Sequence, residues 1–160
     1  QMDAQSIQYG DKTFDAVIAN HMLYHVSDRE KALHEIKRVL RDDGHLYATT
    51  VGKSHMYEMY QFLKRVNTNL QPGMFSNPFT LENGLEQLQK VFSKVEKSQY
   101  VDNLQVTEID PLIAYIRSSI GVVDLSEEKL GELKKDLITA LEKEGKIFIT
   151  KDSGLFEALK

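Results

Sequence analysis

The 160 residues, 41% of them apolar, suffice for one sizeable core and are too few for two full domains. Twenty basic against 24 acidic side chains leave a net charge of -4, which argues against a nucleic-acid footprint. The absence of cysteine removes disulfides, thiolate metal sites and a cysteine nucleophile, and no apolar run approaches the roughly 18 residues of a membrane span, so a cytoplasmic protein is expected.

Behind the turn-forming Gly10-Asp11-Lys12, residues 14–20 are too short for a helix and β-branched at the centre, which predicts a buried strand. Ser27-Asp28-Arg29-Glu30 has the form of a capping box, the serine oxygen accepting from the amide three residues on while Glu30 reaches back. Ala32, Leu33, Ile36, Val39 and Leu40 then recur at helical spacing, and Asp42-Asp43-Gly44 supplies the stop, because glycine tolerates positive φ. A second β-prone run at 45–51 ends at Gly52. Strand, helix and strand make a βαβ unit with parallel strands, so the fold class is α/β.

Residues 54–70 set Met56, Met59, Phe62, Leu63, Val66 and Leu70 on one helical stripe, and the proline-bearing stretch 71–80 breaks it. Thr80 is placed to cap a helix carrying Leu81, Leu85, Leu88, Val91 and Phe92, with Gly84 as its weak point. The helical pair, residues 54–92, is expected to form a lid-like insertion. Residues 95–106 read as a strand with room for a bulge near Asp102-Asn103, and Pro111 suits the first turn of a helix carrying Leu112, Ile113, Tyr115 and Ile116. Ser126 caps a longer helix through Glu144, with Glu127 and Glu128 near its positive end, Gly145 past its finish, and Leu130, Leu133, Leu137, Ile138 and Leu141 inward. Residues 146–150 and 154–159 are two β-prone runs, a hairpin or one sharply bulged strand. The nine glycines never come closer than eight residues, so no loop has the close glycine pair with which a backbone cradles phosphate.

An α/β protein places its ligand at the ends of its parallel strands, and the first strand ends in Asn20-His21-Met22-Leu23-Tyr24-His25. Met2-Asp3-Ala4-Gln5, residues 14–26, and the run from Leu33 to Leu46 containing Arg38-Val39-Leu40-Arg41-Asp42-Asp43-Gly44 together closely resemble the second half of class I S-adenosylmethionine-dependent methyltransferases. Asp43 departs from the family by replacing the first glycine of the usual pair, a change at a helix cap and not in the chemistry. The resemblance implies the C-terminal half of a Rossmann-like methyltransferase sheet, strands equivalent to 4-5-7-6, with a helical insertion. Residues 1–160 would then form a single partial methyltransferase domain. The family's glycine-rich loop and acidic ribose-binding strand end are missing from this sequence. The chain is accordingly expected to be a truncated, inactive portion that binds S-adenosylmethionine weakly or not at all.

By the same resemblance, Asp3 and Ala4 are the adenine contacts, and Asn20 and His21 line the methionine and sulfonium region of the cofactor. His25, one turn beyond His21, is the candidate catalytic residue, a general base or an acceptor-orienting group, since an imidazole with a pKa of ~6.5 suits proton removal at neutral pH. Simple packing is the competing reading of His25. No metal is expected: no glutamate stands between His21 and His25, and His34-Glu35 is followed by Arg38 where a zinc helix needs its second histidine. Met56, Tyr57, Met59, Tyr60 and Phe62 read as helix core or as an acceptor pocket in a lid. The reaction implied is transfer of the sulfonium methyl to a small-molecule acceptor, because the strand end does not read Asn-Pro-Pro-aromatic; the alternative is a non-catalytic interaction module that retains the fold. Residues 14–20 carry no lysine or proline to discourage edge pairing, which predicts a homodimer through this strand or the adjacent apolar surface. Neither nucleic acid nor a membrane is an expected partner.

Overall fold

In the computed structural model, which describes residues 2–67, 77–118 and 125–160, hydrophobic periodicity gives way to alternating helices and strands. The order is β1 (Phe14–Asn20), a 3-10 turn (Leu23–His25), α1 (Arg29–Val39), β2 (Leu40–Val51), α2 (Tyr57–Val66), α3 (Gly84–Gln89), β3 (Lys94–Val106), α4 (Ile109–Ser118), α5 (Glu127–Glu144) and β4 (Ile147–Leu159). The four strands form one sheet in the order β1-β2-β4-β3. β1 and β2 are parallel, with Val17 opposite Leu46 and Asn20 opposite Thr49, while β4 runs antiparallel to β2, from His45 opposite Leu159 to Val51 opposite Ser153. This is the α/β class with the strand order 4-5-7-6 expected from the sequence. No helix among the described residues is long and apolar enough to cross a membrane.

Packing divides the described residues into two units, one within Gln1–Lys53, Asn77–Val101 and Asp152–Lys160, the other within Ser54–Ser76 and Asp102–Lys151. In the first, α1 lays Leu33 and Ile36 into a core with Leu46 and Ala48 of β2 and Phe156 and Ala158 of β4. In the second, Leu63 of α2, the buried stripe of α4 and Leu130, Leu133 and Leu137 of α5 enclose Ile147 and Ile149 of β4. Residues 54–67 of the expected insertion lie in the second unit and 77–92 in the first.

Several local expectations fail for identifiable reasons. β1 is not buried: only Ala19 is, and Ile18 is 69% exposed, because β1 is the edge of the sheet. Ser27 does not cap α1. Its hydroxyl donates to Gln5 Oε1 at 3.1 Å, and Asp28 takes over, accepting from the Lys31 amide at 3.0 Å. Gly44 does not stop the helix either. α1 ends at Val39, Leu40 is already extended and fully buried, and the carbonyls of Arg38 and Val39 accept from the amides of Lys12 and Thr13 at 3.0 and 2.8 Å. Tertiary donors thus satisfy the orphan carbonyls that a left-handed glycine would otherwise help to cap.

α2 begins at Tyr57, with Met56 before it in the left-handed region at φ 60°. Leu70 and residues 71–76 of the expected break lie outside the described residues. The helix expected from Thr80 shrinks to Gly84–Gln89, since Thr80 instead heads a turn, its amide donating to Asn83 Oδ1 at 2.7 Å and its carbonyl accepting from Gly84 at 2.8 Å. β4 is neither a hairpin nor bulged against β2. Its register there is unbroken, with the buried Asp152 carboxylate accepting from Gln99 Nε2 at 2.8 Å. α5 keeps its expected caps, Ser126 Oγ accepting from the Lys129 amide and Gly145 at φ 73°, but Ile138 is exposed rather than inward.

Candidate functional site

Two parallel strands that end side by side leave their last backbone groups facing the same way, and here Asn20 stands opposite Thr49. The chain turns sharply after Asn20, where His21 takes φ 47°, a left-handed conformation uncommon for a residue with a side chain. Thr49 holds that turn in place. The His21 amide donates to Thr49 O at 3.2 Å and Oγ1 at 3.1 Å, and Thr49 Oγ1 donates in turn to Asn20 Oδ1 at 3.3 Å. The 3-10 turn that follows plugs Leu23, fully buried, into the core and is closed by the His25 amide donating to Met22 O at 2.9 Å. Tyr24 stands edge-on to both flanking histidines, 6.5 Å from His21 and 4.5 Å from His25 between ring centres. Both histidines and Asn20 are exposed, whereas the Tyr24 phenol is pushed above its ordinary pKa by partial burial.

A second segment joins this turn through one amide side chain. Asp3 Oδ1 accepts from the Gln5 amide at 2.8 Å and from Gln5 Nε2 at 3.2 Å, while Gln5 Oε1 accepts from Ser27 Oγ at 3.1 Å and the Asp28 amide at 2.9 Å. Those bonds from Gln5 hold the exposed Asp3 carboxyl below its ordinary pKa, so it is anionic at neutral pH. Ala4 lies between these two side chains in sequence and is half-buried.

Further along, Glu35 Oε2 accepts from the Ile7 amide at 2.9 Å, and the Arg38 guanidinium donates to the carbonyls of Ile7 and Tyr9, each at 2.9 Å. α1 therefore anchors the irregular segment that carries Asp3 and Ala4.

This arrangement places an anionic carboxylate able to receive an amine, a polar strand end, and an exposed imidazole able to take a proton within one packed unit. The five residues singled out from the sequence, Asp3, Ala4, Asn20, His21 and His25, all lie there. Gln5, Thr49, Glu35 and Arg38 were not identified as their supports, and no local pattern marks them, because each acts on a segment distant in sequence. Among the described residues no three His, Asp or Glu side chains come together as a metal-binding group.

Comparison with known proteins follows the same residues. Residues 1–48 match the family described as Methyltransferase domain. The ubiquinone/menaquinone biosynthesis C-methyltransferase UbiE of Haemophilus ducreyi is 34% identical over 68 residues, covering 39% of this chain and 26% of that protein. The mitochondrial arginine-hydroxylase NDUFAF5 of Mus musculus is 31% identical over 88 residues, covering 54% of this chain and 26% of that protein. The chain thus spans about a quarter of the length of these relatives. Among solved structures, the YcgJ protein of Bacillus subtilis superposes with a TM-score of 0.61 at 16% identity, covering 100% of this chain and 69% of that one. A SAM-dependent methyltransferase of Archaeoglobus fulgidus gives 0.52 at 15% identity, covering 100% and 66%. At such identities the likeness is one of fold.

Proposed function

The chain has the fold of the class I S-adenosylmethionine-dependent methyltransferases, and from that premise we propose that it supplies part of a site transferring a methyl group from S-adenosylmethionine to a small-molecule acceptor. The observation that carries this reading is the end of β1, where Thr49 holds His21 in a left-handed turn beside Asn20 at the carboxyl end of a parallel pair. Ligands of open α/β sheets bind at such ends, and backbone strain persists where surrounding contacts over-determine it.

S-adenosylmethionine, when bound, supplies a methyl group already activated by the sulfonium, so the protein's part is positioning and the exclusion of water. The donors and acceptors present fit that group. Asp3 stays ionised, and a carboxylate offers about four lone-pair sites, more than the contacts from Gln5 occupy, which leaves acceptor capacity for the adenine amine. Ala4 offers its backbone amide to the adenine ring, while Asn20 and His21 hold the methionine end. His25, exposed beside Tyr24, takes the proton released by the acceptor. An acidic chain whose strand end reads Asn20-His21-Met22-Leu23 favours a small acceptor over nucleic acid. A cytoplasmic location belongs to the same reading.

A second reading is a methyltransferase-like fold without methyl transfer, down to a non-catalytic interaction module. It is favoured by the wide spacing of the glycines and by a relative that is named as a hydroxylase. The two readings part on a titration of S-adenosylhomocysteine into the labelled chain, followed by amide shifts. Methyl transfer expects changes at residues 2–5 and 20–25, abolished in Asn20→Ala. Shifts that fall elsewhere in the chain favour the second reading.

A further inference from the structure

We propose that the second unit carries a ligand site of its own, for an amphipathic anion with an apolar body and a carboxylate head paired to Lys151. The site is a cavity of about 520 Å³ whose walls include Met56, Leu104, Val106, Leu112 and Tyr115. That volume lies within the roughly 300–1,000 Å³ of small-molecule sites. Leu104 and Tyr115 leave 42% and 48% of their surfaces in water, so a bound apolar body would cover apolar surface that is now wet.

The wall is held rigidly at the end where the charge sits. Thr150 donates its amide to Glu58 Oε2 and its hydroxyl to Glu58 Oε1, both at 2.7 Å, and its carbonyl accepts from the Met56 amide at 2.8 Å. Three hydrogen bonds therefore fix residue 150 against 56–58, and the two residues flanking this clamp, Met56 and Lys151, both face the cavity. Burial works against ionisation of Glu58, but the bonds from Thr150 outweigh it and hold the carboxyl below its ordinary pKa, so the clamp is charge-assisted at neutral pH. Met56 sits in the left-handed region with its side chain buried, a conformation that the clamp keeps in place.

Lys151 gives the site its sign. It is half-buried at the cavity wall, and its ammonium has no hydrogen-bond or ion-pair partner among the described residues. An ammonium on a half-buried side chain beside apolar walls gains from an anion delivered with apolar surface attached. Glu108, also at the wall, is an exposed residue, whereas Lys151 is half-buried, and solvent and salt screen a charge on an exposed side chain more than one on a half-buried side chain. An anionic head is accordingly preferred over a cationic one. This inference does not rest on methyl transfer and is tested by binding alone.

The test uses three probes with one body and different heads, 4-phenylbutyrate, 4-phenylbutanol and 4-phenylbutylamine, titrated into the full chain while the Met56 methyl resonance is followed. The carboxylate is expected to bind on the order of tenfold tighter than the alcohol, with the amine weakest. Lys151→Gln should bring phenylbutyrate down to the affinity of the alcohol and leave the alcohol unchanged, and Lys151→Arg should restore the preference. Retained dispersion of the α5 amides confirms that each variant is folded. The inference is overturned if no probe moves Met56, if all three bind equally, if the amine binds best, or if the carboxylate preference survives in Lys151→Gln.

Discussion

Arg38 shows how one side chain orders a stretch that has no regular structure. Its Nε and Nη2 donate to the two oxygens of Glu35 at 2.8 and 2.9 Å, while Nη1 reaches Asp11 at 2.8 Å and the Tyr9 carbonyl at 2.9 Å. The hydrogen bonds from Arg38, followed by the one from the Ile7 amide, hold the Glu35 carboxyl at about 2 instead of the ordinary 4.5. A carboxyl depressed by folding stabilises the fold fully above its unfolded value and loses that contribution as pH falls toward its folded value. The protection factor at Ile7, taken against the intrinsic exchange rate at each pH, should therefore fall progressively between pH 4.5 and about 2, ahead of the amides of α5, and Glu35→Gln should show low protection at Ile7 already at pH 7. Unchanged protection at Ile7 across that range would refute the anchoring role. From the sequence, Arg38 is legible as the start of the helix-exit run that carries the family resemblance and as the residue that spoils a zinc helix, not as an anchor. Three of its four partner residues, Asp11 and the carbonyls of Ile7 and Tyr9, lie in another segment, which no helical spacing can announce.

Among the elements, α5 was legible because its signals are local: a serine cap, early acidic residues, a leucine stripe and a closing glycine. α3 was legible in existence but not in its bounds, since the expected helix from Thr80 shrinks to Gly84–Gln89 and Gly84 serves packing, not helix propensity. A Cβ at Gly84 would lie 2.6 Å from the Phe156 ring and 3.0 Å from that of Phe79, both fully buried. Gly84→Ala would gain up to ~1 kcal/mol of helix propensity, but overpacking typically costs ~1–3 kcal/mol. The clash should win, giving a net loss of about 1 kcal/mol read as a lower urea midpoint at constant slope; a raised midpoint would show that the rings yield. The exposure of β1 was illegible for another reason, since β-branched residues at a strand centre mark a strand without saying which face is covered. Its uncovered edge, with Ile18 outward, carries our proposal of a homodimer through residues 14–20. Sedimentation should give about twice the 18.3 kDa chain mass, and Ile18→Lys should return the monomer. A monomer at micromolar concentration without any substitution would reject the proposal.

At the scale of the whole molecule, the strand order was readable because the βαβ start and the family resemblance agree on it, whereas the division into two packing units was not. Their segments interleave along the chain, and the sequence shows no change of composition where one passes to the other. The glycine spacing remains the most consequential global count. If two or three charge-assisted hydrogen bonds to the cofactor are missing, each worth ~1.5–3 kcal/mol, affinity falls by several decades. Calorimetry with S-adenosylmethionine and this chain alone should therefore fail to reach micromolar binding, and a micromolar result would show that Asp3, Asn20 and His21 suffice. The interleaving also governs the order in which the protein is made. The described residues of the second unit are all translated by Lys151, whereas the first unit still awaits β4 residues 152–159, including Phe156, which packs against Phe79 under Gly84. During synthesis, the core that carries the candidate cofactor residues is thus the later to close, and a nascent chain halted before Phe156 would leave it open to chaperones and proteases.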